Sequence, residues 1–262
     1  MNEVELPGFG FAAAVLLMAA PFLVLALRFA GRLVPVLPRP ELRWTRAEVL
    51  AVCLSPFALF ALLVLVLDAQ GVFASLLLNE LVFGLTCALI LALAATRAGG
   101  FAGLGLRASV PPRAFLAAPI AYVPWLFVSV GLGYAWVELC RARGWQAEQE
   151  VLLQVLALEG AEFATAIGIA IVLGPLLEEL LFRGFLQSAL AQGLGERGAL
   201  VVTSAVFTAL HGVAGLPILF GLSLFLGWLQ LRTRCLWVPW SAHALNNAVT
   251  LGLALALKDH AG

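Results

Sequence analysis

Charge is what this chain has least of. Asp, Glu, Lys and Arg together make up 11% of its 262 residues, against roughly a quarter in soluble globular domains. That scarcity excludes water as the main solvent of the fold. Net charge is missing as well, because 15 basic and 15 acidic residues cancel. A balanced chain has no bulk attraction for polyanions, so no nucleic-acid partner is expected. The four cysteines, Cys53, Cys87, Cys140 and Cys235, form no CxxC pair and no Cys/His ligand spacing, and they are read as buried apolar residues. The N-terminal residues include Glu3 and Glu5 where a secretory signal carries positive charge, so the first apolar run is expected to remain as an anchor. No internal repeat, low-complexity tract or Ser/Gly-rich linker interrupts the chain, and a single integral membrane domain over 1–262 is expected.

What is present is apolar surface. Hydrophobic residues reach 63% and the mean hydropathy is +1.03. Stretches near the ~20 residues needed to cross a bilayer fall at 9–30, 48–67, 71–95, 114–137, 163–182, 199–214, 216–231 and 236–257. The expected fold is therefore all-α, a polytopic transmembrane bundle of about eight spanning helices. Between the sixth and seventh stretches only Gly212, Gly215 and Pro217 supply turn residues, and a re-entrant pair also fits that connection.

Arginine placement orients the bundle. Arg28, Arg32, Arg39, Arg43, Arg46, Arg97, Arg107, Arg113, Arg183, Arg197, Arg232 and Arg234 fall to one side, and Arg141, Arg143 and Lys258 to the other. The positive-inside rule makes the crowded side cytosolic and puts both termini outside. Asp68, Glu138, Glu150 and Asp259 then lie outside with Glu3. Short loops and a single lysine among many arginines suggest a bacterial inner membrane. The one long outer loop, 138–162, carries Val151, Leu152, Val155, Leu156 and Leu158 among Glu148, Glu150, Gln154 and Glu159. A helix there would have one broad apolar face, lying on the outer leaflet or covering part of the bundle.

Polar groups inside apolar runs carry the functional information, since a charge at mid-membrane costs about 2.5–3.5 kcal/mol on insertion scales and usually has a partner and a task. Three clusters stand out. In Gly-Pro-Leu-Leu-Glu-Glu-Leu-Leu-Phe-Arg, placed at the inner end of the fifth helix, Glu179 and Arg183 are four apart in the favourable order for one helix face. Glu178 points about 100° away without a local partner. An ion pair snorkelling at the interface accounts for Glu179 and Arg183 but leaves the second glutamate unexplained. In Phe-Thr-Ala-Leu-His, Phe207 and His211 sit one turn apart; His211 alone fits a packing role as well as a catalytic one. In His-Ala-Leu-Asn-Asn, His243 and Asn247 share a face and offer two N–H donors, the form an oxyanion site takes. An interhelical hydrogen-bond patch is the plainer account. The remaining histidine, His260, lies in the C-terminal tail, and Asn79 with Glu80 makes a further polar spot in the third helix. Such an acid also occurs in proton-coupled transporters, the alternative function alongside a non-catalytic immunity or scaffold protein.

The set EExxxR at 178–183, FxxxH at 207–211 and HxxxN at 243–247, with flanking Pro175 and Phe-Arg-Gly, resembles the three motifs of the CAAX-protease and bacteriocin-processing (CPBP, or Abi) intramembrane endopeptidases. The likeness covers about 163–257, a CAAX-protease-like core. It implies an eight-helix fold with a cavity toward the cytosol, acting on membrane-anchored peptide or protein substrates in the bilayer. Carried over, Glu178 activates water with His211, while His243 and Asn247 serve as oxyanion donors; Glu179 and Arg183 set the position of Glu178, with Phe207 in support. Ser204 and Ser241 have no evident base, which disfavours a serine nucleophile. No cofactor is expected. Zinc is the alternative, held by Glu178, Glu179, His211 and His243, although HExxH spacing is absent and the two glutamates diverge around the helix.

Overall fold

Helices occupy nearly all of the described chain, with no strand among the described residues. A computed structural model describes residues 7–34, 42–67, 70–107, 112–145, 150–212 and 215–261. Glu3, Glu5, Arg39, Asp68 and Glu148 lie outside them, as do the side chains of Glu150, Val151, Lys258, Asp259 and His260. Among the described residues eight long rods follow one another: α1 (Pro7–Leu33), α2 (Arg46–Val66), α3 (Val72–Ala95), α4 (Pro112–Arg143), α5 (160–194), α6 (196–210), α7 (Leu216–Thr233) and α8 (Trp237–Ala261). Among the described residues six helical runs are long and apolar enough to cross a membrane, and the run Gly160–Leu210 holds both α5 and α6. Gly195 parts them with φ 68° and ψ 170°, a backbone that an L side chain rarely adopts. The chain is a multi-pass, all-α membrane bundle.

Lipid is the solvent of its outer surface. In α2 only Val52 is buried, and Leu54, Phe57, Leu62 and Leu65 face outward, as in a helix apolar all round. The interior divides into two clusters. One joins α1, α4, α7 and α8 through Ala30, Ala118, Trp125, Leu226 and Val238. The other joins α2, α3, α5 and α6 through Val52, Ile90, Phe182, Phe185 and Phe207. Small residues permit close approach: a Cβ on Gly131 would meet Leu16 at 2.9 Å, and one on Gly221 would meet Trp125 at 2.4 Å.

The arginine-rich ends gather at one end of the bundle. Arg97 pairs with Glu48, which also completes a capping box with Thr45 at the start of α2. Arg234 pairs with Glu196 at 2.5 Å, and Gly31 lies against Arg232. Arg183 does not belong to that set. It is fully buried within the helices, so neither a loop position nor snorkelling to the interface describes it.

The fifth helix also runs well past its expected end at 182. At about 1.5 Å per residue, α5 spans about 50 Å, more than the ~30 Å of hydrocarbon. Its polar extension is used rather than solvated: Trp44 donates from its backbone N to Gln192 Oε1 (3.1 Å) and from Nε1 to Ser188 Oγ (3.0 Å). Those polar groups, beyond the expected span of 163–182, have partners on the segment before α2. In the 138–162 loop a short helix, Glu150–Leu156, buries Val155 and Leu156, so the apolar face covers the bundle. The four cysteines are free thiols; Cys53 is half-buried and the other three are buried.

Candidate active site

The polar groups of α5 sit on a helix whose hydrogen bonding is altered on both sides. The stretches Ile169–Leu173 and Leu180–Leu186 are π-helical and bracket Gly174–Glu179, a form often found at functional sites. Pro175 explains the first. Gly174 N–H bonds five residues back to Ile169 O, and the same register sets Pro175 against Ala170 O. Proline has no N–H to offer. Asn247 on α8 supplies the missing donor, with Nδ2 2.8 Å from Ala170 O, and Trp240 Nε1 donates to Val172 O at 3.1 Å. In lipid such freed carbonyls must find partners inside the bundle.

At the end of the bracketed stretch, Glu179 is completely buried and paired. Arg183 Nη1 donates to its Oε1 at 3.0 Å, and His243 Nδ1 lies 2.9 Å from the same oxygen. A paired carboxylate accepts, so His243 holds a hydrogen on Nδ1 and turns Nε2 outward. Arg183 Nη2 donates to Ser223 Oγ at 2.9 Å. Its guanidinium also lies over the Phe207 ring at 4.8 Å, a cation–π contact.

Glu178 lacks such a close partner and is half-buried. Its Oε1 lies 3.8 Å from His211 Nε2, and its Oε2 lies 3.8 Å from His243 Nε2. The His211 ring is fixed by Nδ1, 2.7 Å from Phe207 O. A carbonyl only accepts, so that nitrogen carries the hydrogen. Both imidazoles therefore commit Nδ1 elsewhere and aim Nε2 at one carboxylate. Separations of 3.8 Å are too long for direct bonds and suit a water between the groups. Phe207 organises the set: it stacks on His211 (4.3 Å, 32°), meets His243 at 6.1 Å and packs edge-on against Phe182 at 5.1 Å.

The structure thus brings Glu178, Glu179, Arg183, Phe207, His211 and His243 together on α5, α6 and α8, with His211 at the C-cap just past the end of α6 rather than within it. Asn247 joins the same corner through Ala170 O. Sequence reasoning missed Ser223, whose only signal was a hydroxyl in the apolar run of α7, and Ala170, which has no side-chain signal. Glu80 on α3 also comes in, its Oε1 3.5 Å from where a Gly174 Cβ would stand, one turn before Glu178. It is not a separate polar site.

A zinc ion needs three or four ligand atoms at about 2.0–2.3 Å. Glu179 and both Nδ1 atoms are engaged, and among the described residues no three His, Cys, Asp or Glu form a ligand set.

Residues 160–249 match the family model described as Type II CAAX prenyl endopeptidase Rce1-like. The match begins with the first residue of α5 and ends within α8, so it spans all three motifs and agrees with the resemblance to the CPBP group. No curated protein and no solved structure matches the chain.

Proposed function

We propose that the protein is an intramembrane endopeptidase of glutamate type, hydrolysing a peptide bond of a membrane-anchored substrate without a metal. The observation that supports this most is the pair of imidazole Nε2 atoms flanking the Glu178 carboxylate at 3.8 Å each. Rce1-like relatedness over 160–249 supports protease chemistry in general.

In the reaction, water lies between Glu178 and His211. Glu178 takes one of its protons while the oxygen attacks the scissile carbonyl carbon. The carbonyl π pair moves onto oxygen, giving a tetrahedral oxyanion. Preformed donors aimed at such an oxygen are the largest electrostatic contribution in many hydrolases. In its doubly protonated form His243 donates from Nδ1 to Glu179 and from Nε2 to the oxyanion. Asn247 has two amide hydrogens; one serves Ala170 O, and the other is assigned to the oxyanion. The intermediate collapses as Glu178 returns its proton to the leaving nitrogen, releasing an acid and an amine.

Substrates of CAAX type, or other C-terminal or leader segments held at the bilayer, fit a site among helices that face lipid. Both termini are assigned to the outside of a bacterial inner membrane from the arginine distribution. Purified protein in lipid nanodiscs, given a prenylated peptide and a panel of membrane-anchored leaders, tests the reading. Glu178→Gln is expected to lose cleavage by 10²-fold or more, about the range for a general base, and EDTA to leave the wild-type rate unchanged. Full-rate cleavage by Glu178→Gln would remove the proposal.

A further inference from the structure

Arg183 faces two places. Besides the site, it lines a separate, partly open pocket of about 40 Å³. The walls include Gly105, Gln187, Gln230 and Arg234, whereas Glu178, His211 and His243 take no part in them. Four buried polar atoms of the lining have no hydrogen-bond partner among the described residues: Arg183 Nε, Arg234 Nε, Gln187 Oε1 and Gln230 Oε1. Arg183, Gln187 and Gln230 are 1%, 3% and 8% exposed. Leaving such groups unsatisfied costs about 1–3 kcal/mol each, more for a charged one, so the cavity must hold something that bonds to them.

Glycines make room for the glutamine tips, and Gln187 Nε2 donates to Gly227 O at 3.2 Å. A Cβ on Gly105, which has φ +88°, would stand 2.8 Å from Gln230 Nε2, and one on Gly227 would stand 2.8 Å from Gln187 Oε1. Arg234 has φ 48°, the one positive value at a non-glycine residue among the described residues, and its ion pair with Glu196 holds it there. Left-handed backbone at a side-chain-bearing residue costs of order 1–3 kcal/mol and persists where surroundings demand it.

The composition of the lining selects the occupant. Two N–H donors face two carbonyl acceptors. An anion would meet both glutamine oxygens and the Glu196 carboxylate; a cation would meet two guanidinium groups. Water both donates and accepts. One water needs about 10–15 Å³ of such space, so about 40 Å³ takes two or three.

We propose that this cavity is a binding site for two or three ordered waters that complete the hydrogen bonding of Arg183 and Arg234 and thereby position Glu179. Arg183 gives Nη1 to Glu179 and Nη2 to Ser223; the waters take Nε, so all edges of the fork are fixed. On the protease reading above, the effect passes to His243 through its Nδ1 bond to Glu179. Gln187 and Gln230 are positioning residues in this scheme, acting through the waters.

The test is an experimental structure of the full chain in nanodiscs at a resolution that shows water, together with NMR of ¹⁵N-arginine-labelled protein. Ordered waters within hydrogen-bonding distance of Arg183 Nε and Gln230 Oε1 are expected, with a cross-peak from the Arg183 Nε–H to water. In the double variant Gln187→Met and Gln230→Met, which removes both acceptors at similar volume, the cross-peak should disappear. Its kcat should fall on the order of tenfold with KM unchanged. A dry cavity, an ion in it, or an unchanged cross-peak in the double variant overturns the proposal. The water measurements read the site whether or not the protein cleaves peptides, so loss of the protease reading would be seen separately, in Glu178→Gln.

Discussion

His243 stands between two adjacent glutamates, with Nδ1 2.9 Å from Glu179 Oε1 and Nε2 3.8 Å from Glu178 Oε2. The two carboxylates therefore have different tasks. Glu179 is locked into a buried ion pair and orients the ring; Glu178 is half-buried and has no close partner.

Stability should separate them. Glu179→Gln leaves the Arg183 charge buried without its counter-ion, which costs about 3–5 kcal/mol. Glu178→Gln breaks no close bond and should cost under about 0.5 kcal/mol. Denaturation in detergent, followed by tryptophan fluorescence, measures both. Equal losses would contradict the division of roles.

Arg183→Met should be as damaging as Glu179→Gln. Combining Arg183→Met with Glu179→Met removes both charges together, and an apolar replacement of a buried pair is often neutral. The double variant is expected to regain most of the lost stability while cleavage stays absent, because His243 has lost its acceptor. Additive losses would show that the pair is not the coupled unit.

Asn247 is bonded to a carbonyl that Pro175 leaves without a donor. Asn247→Ala should cost about 1–3 kcal/mol for the exposed carbonyl. Pro175→Ala restores an N–H to the helix, so in that background the cost of Asn247→Ala should shrink by half or more. A double-mutant cycle on unfolding free energies gives the coupling. Zero coupling would separate the asparagine from the proline.

Topology can be read by thiol labelling. On a cysteine-free background, Arg143→Cys should react with an impermeant maleimide on intact cells, and Arg197→Cys only after permeabilisation. The reverse pattern would invert the assigned orientation.

Much of the bundle was legible because hydropathy is a one-dimensional property. Stretches of apolar residues near membrane length mark the helices whatever their neighbours. The three motifs were legible for a similar reason, since spacing of four places Glu179 with Arg183, Phe207 with His211 and His243 with Asn247 on common faces. The end of α5 was misplaced. Ser188 and Gln192 look like loop residues until Trp44 is brought against them.

By itself the sequence determined that the chain is an all-helical membrane protein and which side chains are too costly in lipid to lack a purpose. Periodicity and transfer energy are local, and they need no knowledge of the partner helix. Tertiary structure alone decided which glutamate is paired and which is open, that Ser223 and Ala170 O take part, and that Glu80 lies beside Gly174. It also placed Arg183 between the site and a second polar cavity. Adjacent residues such as Glu178 and Glu179 are alike in sequence. Only the groups that α6, α7 and α8 bring to them make one a buried anchor and leave the other without a close partner.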